Sequence, residues 1–184
     1  MPVQVPSKWD KEVDVVILGT GGAALTAAIA AADGGASVLV LEKTHQIGGT
    51  TAYSGGVPWI PLNHYMQEAG FQDQREEAIR FIERLALGRA DKKMIETFVD
   101  NGHVMIKYLA EHTPTKFATP QSYPEYYARM GEALKQGTRS LDPLPYDLNE
   151  IGEWASLVRQ NPLFPPLTLE EGGAVGCIDF QKVA

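Results

Sequence analysis

The sequence predicts an α/β fold built on a strand–helix–strand unit, and three observations carry that expectation. Residues 13–18 and 37–41 are short runs, apolar but for Asp14 and Ser37 and rich in β-branched side chains, the pattern of strands buried on both faces. A glycine-rich turn at 19–22 and an alanine-rich run at 23–32 separate them, a composition that favours a helix. A solitary acid, Glu42, stands directly after the second run.

The elements follow in chain order. The first strand, 13–18, is punctuated by the turn at 19–22. The helix over 23–32 ends at Gly34 and Gly35, the residue type that closes helices. The strand at 37–41 then lies parallel to the first, because a helix joining two buried strands forms a right-handed βαβ unit. Residues 45–63 carry four glycines and two prolines and read as irregular. A helix is expected over 75–87, with apolar positions at 78, 79, 81, 82 and 85. A longer one over 91–111 repeats the pattern at 94, 95, 98, 99, 105, 106 and 109, with Asp91 as its cap. Beyond His112 stand eight of the 12 prolines, and no strand is expected there. NPLFPPL at 161–167 suits neither a helix nor a central strand.

Composition narrows the function classes. Of 184 residues, 44% are hydrophobic and 21% charged, the shares of a soluble globular protein. A net charge of −7 without a basic run argues against nucleic acid or an anionic membrane as partner. The amino-terminal residues lack the apolar core of a signal peptide, and the low-charge stretch 15–32 is interrupted by glycines, so no transmembrane segment is expected. Cys177 is the only cysteine; a reducing, cytoplasmic setting follows as the simpler expectation. His45, His64, His103 and His112 share no ligand spacing with a cysteine or carboxylate pair, so no metal is expected.

The turn carries the chemistry. GTGGAA fits the dinucleotide fingerprint G-x-G-x-x-G/A with Gly19, Gly21 and Ala24 in its three places. The first glycine permits a tight turn, the second lets backbone N–H groups approach a pyrophosphate, and the third small residue lets helix and sheet pack closely. The pyrophosphate then sits on the positive end of the helix dipole. Glu42 stands where an acid hydrogen-bonds the ribose hydroxyls of an adenosine, which disfavours a 2′-phosphate and so NADP. The unit is therefore Rossmann-like, and its motif is shared by NAD and FAD proteins. GGTTAYSGG at 48–56 follows as a polar loop of small residues. It offers backbone donors and the hydroxyls of Thr50, Thr51 and Ser54 to a long cofactor, or is an ordinary flexible loop.

Three stretches, GTGGAALTAA, LVLEKTHQIGGTTAYSGGVPWIP and YPEYY, together resemble the FAD-dependent 3-ketosteroid Δ1-dehydrogenases of the fumarate reductase and succinate dehydrogenase flavoprotein superfamily. The resemblance covers residues 12–147 and so the N-terminal part of such enzymes. It implies FAD as cofactor, with Gly19, Gly21, Gly22 and Ala23 at the phosphates and Glu42 at the ribose. Lys43, Gly49, Thr50, Thr51, Ser54, Gly55 and Gly56 would lie along the adenosine, pyrophosphate and isoalloxazine. It also implies a catalytic role for Tyr126, the first tyrosine of PEYY. In this family that tyrosine lines the steroid pocket and hydrogen-bonds a second tyrosine, which removes a proton beside the ketone. Hydride passes from the neighbouring carbon to the flavin N5. On the residues alone, Tyr123, Tyr126 and Tyr127 read equally as an aromatic cluster covering the helices. GTRSLDPLPYD at 137–147 resembles a family segment without an assigned chemistry.

The expected organisation is a FAD-binding βαβ unit and flavin loop over 1–62, a helical insertion over 63–147 carrying the pocket tyrosine, and a proline-rich tail over 148–184 as a partner contact. Two parallel strands do not make a stable sheet, so the sheet is expected to be completed by residues not in this chain. Either a second polypeptide, separately encoded or cleaved, supplies the rest of the FAD domain and the catalytic domain, or the sequence is a truncated fragment; the second polypeptide is the favoured expectation, with a steroid or cyclic ketone as substrate. Rival readings are a fumarate reductase-like flavoprotein and a nucleotide-binding subunit without chemistry of its own.

Overall fold

The computed structural model of the chain describes residues 6–120, 124–134 and 139–161. Tyr123, Cys177 and residues 162–184 of the proline-rich tail lie outside them. The described chain divides into two compact units, one running through Tyr53 and including Glu153–Gln160, the other formed by Ser54–Gly152.

In the first unit β1 (Val15–Leu18), α1 (Gly22–Asp33) and β2 (Val38–Leu41) follow one another. The strands pair in parallel, Val15 opposite Val38 through Leu18 opposite Leu41. A polar clasp sets that register. Ser37 Oγ donates to Asp14 Oδ2 at 2.6 Å and accepts from the Asp14 N–H at 2.9 Å, while the Ser37 N–H donates to the same carboxylate. After α1 the chain turns through Gly35 at φ +85°, a left-handed conformation that glycine adopts without steric cost.

Two expectations change here. The strands are not buried on both faces: Val16 is 53% and Leu18 78% exposed, and among the described residues their sheet has no third strand. The stretch 48–56 is not wholly a loop either, since Gly49–Tyr53 forms the short helix α2. Gly48 and Gly49, at φ +100° and +54°, turn the chain so that the Ala52 N–H closes onto the Gly48 carbonyl at 3.0 Å. Residues 153–160 belong with this unit because Ile47 bridges Val158 in parallel fashion, and its N–H donates to the Leu157 carbonyl.

The second unit is mainly helical: α3 (His64–Glu68), α4 (Arg75–Ala86) and α5 (Lys92–His112). Asp91 caps α5 as expected, accepting from the Lys93 N–H at 2.7 Å. Asn63 caps α3 through the Met66 N–H and donates to the Ile60 carbonyl. The apolar periodicity of the two long helices meets in one cluster of Ala78, Ile79, Ile95 and Val99. Ile106 joins a second cluster with Ile60, Phe117 and Leu141. Each fully buried side chain of this size stabilises the fold by about 1.5–3 kcal/mol. Met94, on the same periodic stripe, is instead 67% exposed.

Beyond His112 the structure adds a ladder that the sequence does not announce. β3 (Phe117–Ala118) runs antiparallel to β4 (Asp142–Pro143), and Pro143 is tolerated because it stands at the end of a two-residue strand. Trp59 bridges Ser140, and the Ile60 N–H donates to the Arg139 carbonyl. These bonds draw residues 54–62 into the helical unit. No helix among the described residues is long and apolar enough to cross a membrane.

Candidate functional site

The fingerprint turn occupies the first unit. Gly19, just after β1, has φ +93°, and a Cβ built there would meet nothing within 4 Å. The backbone conformation, not crowding, therefore demands glycine. Its N–H donates to the Leu41 carbonyl at 2.7 Å, tying the turn to the end of β2. Gly21 is the N-cap of α1 and supplies no side chain to it; the first turn of the helix, which holds Gly22, Ala23 and Ala24, contains no acid.

Glu42 stands one residue after β2. Its Oε2 accepts from the Thr20 hydroxyl at 2.6 Å and its Oε1 from the Thr44 N–H at 3.1 Å. The Thr20 hydroxyl first, and the Thr44 N–H next, hold the carboxyl below its ordinary range. Glu42 is thus an ionised acceptor with a fixed orientation, and each oxygen retains acceptor capacity. Thr20 is the residue the fingerprint leaves unspecified. Buried, it also accepts from the Gly48 N–H at 2.9 Å, joining the turn, the acid and the start of α2.

The remaining small residues serve close packing within the protein. The Gly22 N–H donates to Thr51 Oγ1 at 2.9 Å. A Cβ on Gly22 would lie 3.2 Å from that oxygen, and one on Gly49 would lie 3.2 Å from the Gly21 Cα. The starts of α1 and α2 approach this closely because residues 22 and 49 lack side chains. Lys43 and Thr50 are exposed.

The second unit contains a cavity of about 860 Å³. Trp59, Phe81 and Phe98 form its apolar wall, with Trp59 stacked on Phe81 at 5.8 Å and on Phe98 at 6.2 Å between ring centroids. Ser54 and Gly55 line the same cavity as Tyr126 and Tyr127. Tyr126 is 91% exposed and Tyr127 57%, so neither covers the helices as a packed aromatic cluster. Gly56 turns the chain at φ +67°, and its N–H donates to Ser54 Oγ.

Behind the cavity wall lies a buried ionic network. Arg139, fully buried, makes a two-pronged contact with Asp73, Nη2 to Oδ1 at 2.7 Å and Nε to Oδ2 at 2.9 Å. Its Nη1 reaches both oxygens of Glu125 at 3.4 Å. Its guanidinium also lies 5.5 Å from the Trp59 ring and 5.4 Å from that of Phe81. Arg139 falls in the segment 137–147, to which the sequence assigned no chemistry; nothing in its spacing pairs it with Asp73 or Glu125. Among the described residues no three His, Cys, Asp or Glu side chains group as metal ligands.

Comparison with known proteins follows this geometry. The family model described as FAD binding domain matches residues 14–162. A 4-oxocyclohexanecarboxylate 2-dehydrogenase of Sinomonas cyclohexanicum is 36% identical over 86% of this chain and 27% of its own length. A 3-oxosteroid 1-dehydrogenase of Mycolicibacterium smegmatis is 35% identical over 77% of this chain and 25% of its own. Among solved structures, the 3-ketosteroid Δ1-dehydrogenase of Sterolibacterium denitrificans in complex with 1,4-androstadiene-3,17-dione matches with a TM-score of 0.75 and 31% identity, over 81% of this chain and 26% of that one. The chain thus spans about a quarter of the length of these relatives. The glycine turn fits a dinucleotide: α1 begins without a side-chain cap or an acid, as a pyrophosphate needs, and Glu42 is an ionised, oriented acceptor, as ribose hydroxyls need.

Proposed function

Because this chain belongs to the FAD binding domain family, we propose that it is the FAD-binding part of a flavoprotein dehydrogenase that desaturates a 3-ketosteroid or a related cyclic ketone beside its carbonyl. Its cofactor is FAD. Glu42, held by Thr20 and Thr44, binds the ribose hydroxyls. The N–H groups at the start of α1, with Gly19 and Gly21 shaping the turn, bind the phosphates. Lys43, Gly49, Thr50 and Thr51 flank them, and Ser54, Gly55 and Gly56 serve the isoalloxazine. FAD, when bound, supplies the acceptor for the hydride that leaves the ketone's β-carbon.

Tyr126 acts at the other bond. Its hydroxyl hydrogen-bonds the base that removes the proton beside the carbonyl, stabilising the deprotonated form of a group whose ordinary pKa is near 10. The observation that carries the reading is the shared cavity: Ser54 and Gly55 stand with Tyr126 among aromatic walls. The described lining includes the carboxyl residues Glu125 and Asp142 and no Lys, Arg or His.

The exposed side chains of β1 support a further part of the reading: additional strands pair with β1–β2, and a second polypeptide supplies them together with the catalytic domain. The complete flavin-loaded enzyme should turn over a ketosteroid with an artificial acceptor and leave fumarate untouched with a reduced dye. Tyr126→Phe should keep the flavin spectrum and slow turnover by about 10²-fold; unchanged turnover would remove Tyr126 from the mechanism. A flavin-loaded, active monomer of this chain alone would refute the second polypeptide.

A further inference from the structure

We infer that Glu125 is the positioning residue for Tyr126, an assignment that rests on the reading of Tyr126 above. The problem it solves is geometric. Tyr126 is 91% exposed, so among the described residues no packing around its ring sets where the hydroxyl points, and a catalytic hydrogen bond tolerates little displacement. Within this chain the position comes from the adjoining backbone.

Glu125 supplies that anchor. Its Oε1 accepts from the Trp59 Nε1–H at 3.0 Å and its Oε2 from the Leu134 N–H at 2.9 Å, while Arg139 Nη1 faces both oxygens. Each carboxylate oxygen is thereby held by one short N–H bond, and Arg139 Nη1, which also reaches the Glu132 carbonyl at 3.3 Å, balances the charge. Although Glu125 lines the cavity, its oxygens are engaged within the protein. The bond to Leu134 closes the excursion 125–134 at its base. Glu132 pins the same excursion to α4 through Arg84 at 2.7 Å. The side chain of Glu125 is 2% exposed and that of Arg139 is fully buried, so the anchor is rigid where the tyrosine is not. Trp59, which shares the anchor, is itself a cavity wall; one carboxylate therefore sets both the wall and the hydroxyl.

The test uses Glu125→Gln in the complete flavin-loaded enzyme. A glutamine keeps the shape but offers one acceptor oxygen where two N–H groups need one each. Expected are a fall in kcat of roughly 10²-fold, a KM close to wild type and an unchanged flavin spectrum. The decisive measurement is the double variant with Tyr126→Phe. If Glu125 acts through Tyr126, the double variant should be no slower than Tyr126→Phe alone. Two losses that multiply in full, or a Glu125→Gln enzyme at wild-type kcat, would overturn the assignment while leaving Tyr126 in place. A Tyr126→Phe enzyme at wild-type kcat would instead overturn the functional reading, and this one with it. Should Glu125→Gln fail to fold, Glu125→Asp, which keeps the charge but cannot reach Trp59 and Leu134 together, enters the same cycle with the same expected outcomes.

Discussion

In the unit that ends at Tyr53, Thr20 is the one buried residue among those described, whereas every buried apolar side chain described lies in the unit that begins at Ser54. The first unit is held in shape by hydrogen bonds between short polar side chains and backbone: Asp14 with Ser37, Thr20 with Glu42 and Gly48, Gly22 with Thr51. The second has two apolar clusters and a buried ion network. The contrast separates geometry from stability. Polar bonds at a surface place a turn and an acid accurately but contribute little net free energy each. A unit built this way draws stability from what covers it, and a bound dinucleotide or added strands would do so by mass action.

The largest test of this contrast is Arg139→Met. It strands two buried carboxylates, Asp73 and Glu125, and should destabilise the second unit by about 3–5 kcal/mol, read as a shift of the urea midpoint. A midpoint within experimental error of wild type would show that the network is not a source of stability. A paired truncation follows. Ile106→Ala, in a position 1% exposed, should cost about 2–5 kcal/mol, and Val16→Ala, 53% exposed, less than about 0.5 kcal/mol. An equal cost in the complete enzyme would mean that the outer face of β1 is covered there by a layer from outside this chain.

Glu42→Ala should lower the urea midpoint only slightly and weaken FAD retention roughly tenfold to a hundredfold. A full flavin complement after extensive dialysis would release Glu42 from the ribose. The smallest effect is one of pH. Thr20 lowers the pKa of Glu42 and Ser37 that of Asp14, the hydroxyl bond being the leading cause in each. A carboxylate whose folded-state value is depressed stabilises the fold fully above its ordinary value, here 4.5 and 3.8. That contribution fades as pH falls through the lower folded-state value. Flavin release should therefore rise on the acid side of 4.5, and Glu42→Gln should flatten that rise. A release curve identical in wild type and variant would detach it from Glu42.

The βαβ unit, the fingerprint turn, the Asp91 cap and the apolar faces of α4 and α5 were legible in the amino-acid order, whereas α3 and its Asn63 cap were not. Each legible feature is a local event: a short apolar run rich in β-branched residues, a helix period of 3.6, a left-handed Gly19, a carboxylate two residues before the N–H it caps. Such events depend on neighbours within a turn of chain, so the order of residues determines them. α2 escaped because five residues are too few to show a period, and β3 and β4 because two residues each are fewer still. The site divides along the same line. Gly19, Gly21 and Glu42 carry a spacing that chemistry imposes, whereas the partners that orient them do not. Thr20 finds Glu42 across 22 positions, and Trp59 finds Glu125, as Arg139 finds Asp73, across 66. Only folding brings such groups together. Burial then decides their energetics, because a carboxylate out of water must take every hydrogen bond within reach.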